Sequence, residues 1–165
     1  MAGLVYELMD TLDKQLLLFD ELITLGGGKK DFIINNDTDG LSKLTSGENA
    51  VTGKLAKLDK TRATLMGDIA NVLGRPEGVT LSELAEAMRE QPEYARLLSL
   101  TEATREKLGV LKELNDQNKI LIDSSLEYIN FTINAIRTSL LPEQAIYSND
   151  GEELGARQSF FDAKQ

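Results

Sequence analysis

The 165-residue chain has no cysteine, no histidine, no tryptophan and three prolines. Without cysteine there can be no disulfide and no thiolate zinc site. Without histidine there is no imidazole for acid–base work, and the Glu-x-x-His ligand pairs of di-iron helical bundles cannot be assembled. Aromatic residues make up 5% of the chain against 41% hydrophobic overall, a leucine-rich mix that suits helix packing better than a β-sandwich. Positive charge is also short. Lys and Arg number 18 against 27 Asp and Glu, a net charge of −9 that argues against a nucleic-acid partner, because phosphate binding needs a basic surface. No phosphate loop, nucleophile elbow or metal-ligand spacing occurs. The adjacent carboxylates Glu152 and Glu153 sit near the C-terminus, where no pocket is expected to raise a pKa. No apolar run approaches the ~20 residues of a membrane span, and the opening MAGLVYELMDTLDK carries acids where a secretion signal carries bases. These absences predict a cytoplasmic protein, not membrane-embedded, with no cofactor and no enzymatic site.

What is present is heptad periodicity. Residues 92–141 contain no proline after Pro92, and one helical stripe runs through Leu97, Thr101, Thr104, Leu108, Leu111, Asn115, Asn118, Ile122, Ser125, Ile129, Thr132 and Ile136. A seven-residue apolar repeat keeps one face toward a partner helix, and a helix this long would extend roughly 70 Å. Thr, Ser and Asn leave this seam under-filled for a dry core, so it could accept a further helix from another protein. Near the N-terminus, Val5, Leu8, Leu12, Leu16, Phe19 and Ile23 recur at helical spacing, widened by Leu17, Leu18 and Leu22. The Gly26-Gly27-Gly28 run reads as a weak place in one helix, because Phe32, Ile33 and Ile34 resume the pattern before Asn35-Asn36 ends it.

Asp37-Thr38-Asp39 supplies N-cap residues for a second helix, with the seam Leu41, Leu44, Glu48, Val51, Leu55, Leu58, Arg62, Leu65, Ile69 and Val72. Gly40, Gly47, Gly53 and Gly67 weaken it intrinsically, so packing must hold it. Gly74, Pro76 and Gly78 end it. Thr80 and Glu83 then have the spacing of a capping box for a short helix, closed by Gln91-Pro92, with Pro92 in the first turn of the long helix. The expected architecture is all-α: an elongated antiparallel helical bundle or coiled coil of three long helices plus one short helix, spanning 1–141, with a disordered C-terminal tail over 142–165. The tail carries the turn signal Ser148-Asn149-Asp150-Gly151 and the pair Phe160-Phe161, which has the look of a docking motif.

Asn115 and Asn118 have two readings: they fix register between helices, as seam asparagines do, or they hydrogen-bond an incoming backbone. Glu48 and Arg62 are either seam ion-pair partners or snorkelling charges. Tyr128 and Phe131 read as core or half-buried helix residues.

The segment LNDQN at 114–118, then Leu121-Ile122, then SLEYI at 125–129, resembles the L-N-x-x-N-x-x-L-(I/L) core of FlgN-type flagellar export chaperones. NNDTDGLSKL at 35–44 is similar to that family's turn with an aspartate followed by leucines. Glu48 and Arg62 fall where the family tends to place Glu and Arg, and Tyr147 to Gly151 is similar to its tyrosine-to-glycine segment. The glycine run at 26–28 departs from the pattern, since the family usually has good helix formers there. The resemblance implies a cytoplasmic chaperone that binds the disordered terminal segments of the two hook-associated (hook–filament junction) proteins. It would keep them unassembled and deliver them to the type III export gate. On this reading Asn115, Asn118, Leu121, Ile122, Ser125 and Ile129 form the substrate surface. Tyr147 and Gly151 would dock on the cytoplasmic domain of the export-gate protein, and the exposed seam could also pair two copies as a homodimer. The alternatives are another helical secretion chaperone or coiled-coil adaptor with a different client, or a structural or enzymatic bundle whose seam its own helices fill.

Overall fold

A computed structural model describes residues 1–140. The expected tail, with Tyr147, Gly151, Phe160 and Phe161, lies outside the described residues. The described residues are all-α: α1 (Ala2–Ile34), α2 (Thr38–Val72), α3 (Leu81–Ala87) and α4 (Tyr94–Leu140). The chain divides into two units, the first Met1–Ser125 and the second beginning at Leu126, of which residues 126–140 are described.

In the first unit α1 is one uninterrupted helix through Gly26-Gly27-Gly28, burying Val5, Leu8, Met9, Leu12, Phe19 and Ile33 along one stripe. Asn36 turns the chain with φ +54°, a left-handed conformation that asparagine tolerates better than most residues. The Asp37 carboxylate then accepts the Gly40 N–H at 2.8 Å and caps α2. Gly40 is required by space. A Cβ there would stand 2.4 Å from the Phe32 ring and 2.8 Å from Asp37 Oδ2.

α2 returns antiparallel to α1, as the Lys29–Glu48 ion pair at one end and the shared burial of Val5, Leu8, Leu65 and Ile69 at the other require. Its seam departs from the strict heptad at the end. Val72 is 58% exposed, and Leu73 packs on the core instead. A seven-residue repeat averages 3.5 residues per turn and a straight helix 3.6, so the inward-facing position drifts along a long element. Gly74 and Gly78 adopt φ of +63° and +85° in the connection to α3. There Thr80 and Glu83 form both halves of the capping box.

α4 starts at Tyr94, two residues later than Pro92 suggested, because 91–93 form a turn in which the Tyr94 N–H bonds to Gln91 O. It runs parallel to α1: Arg96 pairs with Asp13 at 2.8 Å, Lys107 with Asp20, and Asn118 bonds to Gly26, positions that advance together along both helices. The core gathers where all four helices meet, with Leu84, Ala85 and Met88 beside Leu97 and Leu100. Three buried threonines in this bundle, Thr11, Thr101 and Thr104, satisfy their hydroxyls on carbonyls of their own helices at 2.8 Å. Gln15, 2% exposed, has an Oε1 without a donor, and the buried Nε of Arg62 lacks an acceptor. Gln15 precedes Lys29 on α1 by the same two heptads by which Arg62 follows Glu48 on α2. The two unpaired groups therefore occupy the register of the Lys29–Glu48 pair.

Candidate functional site

Among the described residues no group of three or more His, Cys, Asp or Glu is placed to hold a metal. One carboxyl is held away from its ordinary range. Glu83 is lowered, first by the hydrogen bond from the Thr80 backbone N–H and then by that from the Thr80 hydroxyl. Its role is to cap α3.

The sequence-selected residues divide. Asn118 is 6% exposed, and its side-chain amide donates to Gly26 O of α1 at 2.9 Å. This bond ties α4 to α1 in register, as seam asparagines do. Asn115, three residues earlier, is exposed; Leu121 and Ser125 are half-buried, and Ile122 is exposed together with Ile120. Leu108, a seam position, is exposed as well. Glu48 reaches across to Lys29 at 2.5 Å with both side chains mostly covered, 16% and 18% exposed. Arg62 instead holds Asp59 one turn before it on α2.

In the second unit, residues 126–140 are helical, and Ile129 is exposed. Tyr128 and Phe131 are 68% and 70% exposed, which corrects the expectation that they are core or half-buried. Leu126 and Ile136 are exposed too. At 100° per residue these side chains are not confined to one stripe. Arg137, Asn130, Asn134, Glu127 and Thr138 fall within about 100° of the helix circumference. The rest, about 220°, carries Phe131, Ala135, Tyr128, Ser139, Thr132, Ile136, Ile129, Ile133 and Leu126. A single heptad seam contains only Ile129, Thr132 and Ile136 of this arc, so the aromatic side lies outside it.

Contiguous exposed apolar side chains are a feature of interaction surfaces. Over residues 1–155 the chain matches the family described as FlgN protein. The chain belongs to the FlgN family. That family consists of flagellar export chaperones and not of enzymes. Neither a curated protein nor a solved structure matches this FlgN-family chain. No helix among the described residues is long and apolar enough to cross a membrane. The glycine run that departs from the family pattern is accommodated within α1: Gly26 is buried, its carbonyl holds Asn118, and a Cβ on Gly28 would come 3.2 Å from Leu44.

Proposed function

We propose that this FlgN-family chaperone acts in the cytoplasm on the C-terminal segments of hook-associated junction proteins. It would hold them unassembled and deliver them to the cytoplasmic domain of the flagellar export-gate protein. The observation that carries this reading is the row of exposed apolar side chains on α4, in a chain of net charge −9 whose acids keep such a surface in solution. Terminal segments that assemble into a filament junction are amphipathic, and an apolar helix face gives them a temporary partner. In the first unit the proposed client-facing residues are Asn115, Leu121, Ile122 and Ser125, and Asn118 lies among them on the same face of α4, bonded to Gly26 of α1. In the second they include Ile129. Tyr147 and Gly151 are the proposed gate-docking residues.

Calorimetric titration of the full chain with the C-terminal segments of the two hook-associated proteins from the same organism tests the reading. Saturable one-to-one binding, weakened at least tenfold by Ile122→Asp, is the expected result. If neither segment binds, the client class is wrong and a different secretion chaperone or adaptor role replaces it. Tyr147→Ala should abolish binding of the export-gate domain while leaving client affinity unchanged; retained gate binding removes Tyr147 from that role.

A further inference from the structure

The shape of the apolar surface on residues 126–140 bears on the form of whatever covers it. One helix laid alongside another covers a stripe of about 100°, the width of an ordinary amphipathic face. The apolar and hydroxyl arc of this segment is about twice that, with the aromatic pair Tyr128 and Phe131 on one side and Leu126, Ile129, Ile133 and Ile136 on the other. The hydroxyls of Thr132 and Ser139 lie between the two groups and form no charged barrier. A single partner helix would bury either the aromatic side or the aliphatic side and leave the other in water. The first unit shows what covering α4 takes. There Leu97 and Leu100 share a core with residues from more than one other helix, Leu8 and Leu12 of α1, Leu65 and Ile69 of α2, and Leu84 and Ala85 of α3.

We infer that the occupant of residues 126–140 is one client segment folded as two amphipathic helices that clasp the helix from both sides. This rests on the client reading above. A second copy of the chain fits less well, since pairing two copies would bring together two molecules of net charge −9. The polar arc, with Glu127 and Arg137, has no net charge to select a partner, so selection falls to apolar fit on the two sides.

The test uses the full-length chain and two double variants, Tyr128→Ser/Phe131→Ser and Ile129→Ser/Ile136→Ser, each titrated with the hook-associated C-terminal segments. The expected result is one segment per chain, with both variants weakened at least tenfold and unchanged in helical content. Loss from one variant alone means a single-helix client and overturns the inference while leaving the chaperone reading intact. Two segments bound per chain overturn it as well. A free chain that is dimeric by light scattering, and monomeric as the Tyr128/Phe131 variant, assigns the aromatic side to a second copy and also overturns it. No binding by the wild-type chain removes the client reading itself. Should either variant lose helix content, photo-crosslinkers at Phe131 and Ile136 decide the matter. Crosslinks to two separate stretches of the client are expected, and crosslinks to a single stretch sink the idea.

Discussion

A methyl group added at Gly40 would stand 2.4 Å from the edge of the Phe32 ring, whereas one added at Gly27 would meet nothing within 4 Å. Gly40→Ala should therefore cost about 1–3 kcal/mol, because the ring that closes the α1–α2 turn must move. Gly27→Ala should add about 0.5–1 kcal/mol by removing backbone freedom from the unfolded chain and raising helix propensity. Thermal melts followed by circular dichroism would separate the two, and equal shifts would contradict the packing described. Glu48→Ala leaves Lys29 half-covered beside an apolar seam and should cost about 1–2 kcal/mol, less than a fully buried pair because water still reaches both partners. A double-mutant cycle with Lys29→Met measures it. That Glu48 occupied a core register was legible from spacing. Its partner was not, because Lys29 follows the glycine run on another helix and nothing local links the two. Asn118 was legible as a seam asparagine for the same reason, and its acceptor, a backbone carbonyl 92 residues earlier, was not.

The short helix α3 depends on its first turn. Thr80 and Glu83 bond each other reciprocally, with the Thr80 N–H donating to the Glu83 carboxylate at 2.7 Å and the Glu83 N–H donating to the Thr80 hydroxyl at 3.2 Å. Because folding lowers the pKa of Glu83, the folded state binds its proton less readily than the unfolded state does. The stability this adds is fully present above the ordinary glutamate range and disappears as pH falls through the lowered folded value. Glu83→Gln should lower the melting temperature at neutral pH and flatten the acid limb of a stability–pH curve; an unchanged acid limb would contradict the cap's role. The capping box was fully legible in sequence, since both partners lie within one turn. The ends of the longer helices were legible to within two residues at Tyr94. The inward face of α2 was not legible at Val72, where a strict heptad and a real helix drift apart.

Across the whole molecule, α4 passes from buried residues near Leu97 to exposed ones after Leu126. Backbone amides of 126–140 should exchange with deuterium faster than those of 97–104 in the free chain, and slow when client is added. Equal exchange in both stretches would remove the contrast on which the client surface rests. The all-helical architecture was readable from heptads alone, whereas burial of Leu97, Thr101, Thr104 and Asn118 shows that the first half of the α4 seam is filled by the chain's own helices. The breadth of the exposed face was not readable, because a seam lists what faces one neighbour and says nothing of the remaining circumference. The parallel pairing of α1 with α4 also bears on the order of events at the ribosome. Asp13, Asp20 and Gly26 meet partners 83, 87 and 92 residues later, while α1 and α2 are joined by a three-residue turn. The hairpin can close as soon as α2 has emerged, but Leu8 and Leu12 wait for Leu97 and Leu100 to be translated before their core is complete. Once α1 and α2 have emerged and before α4 follows, the nascent hairpin thus presents an open apolar trough at Leu8 and Leu12 of α1.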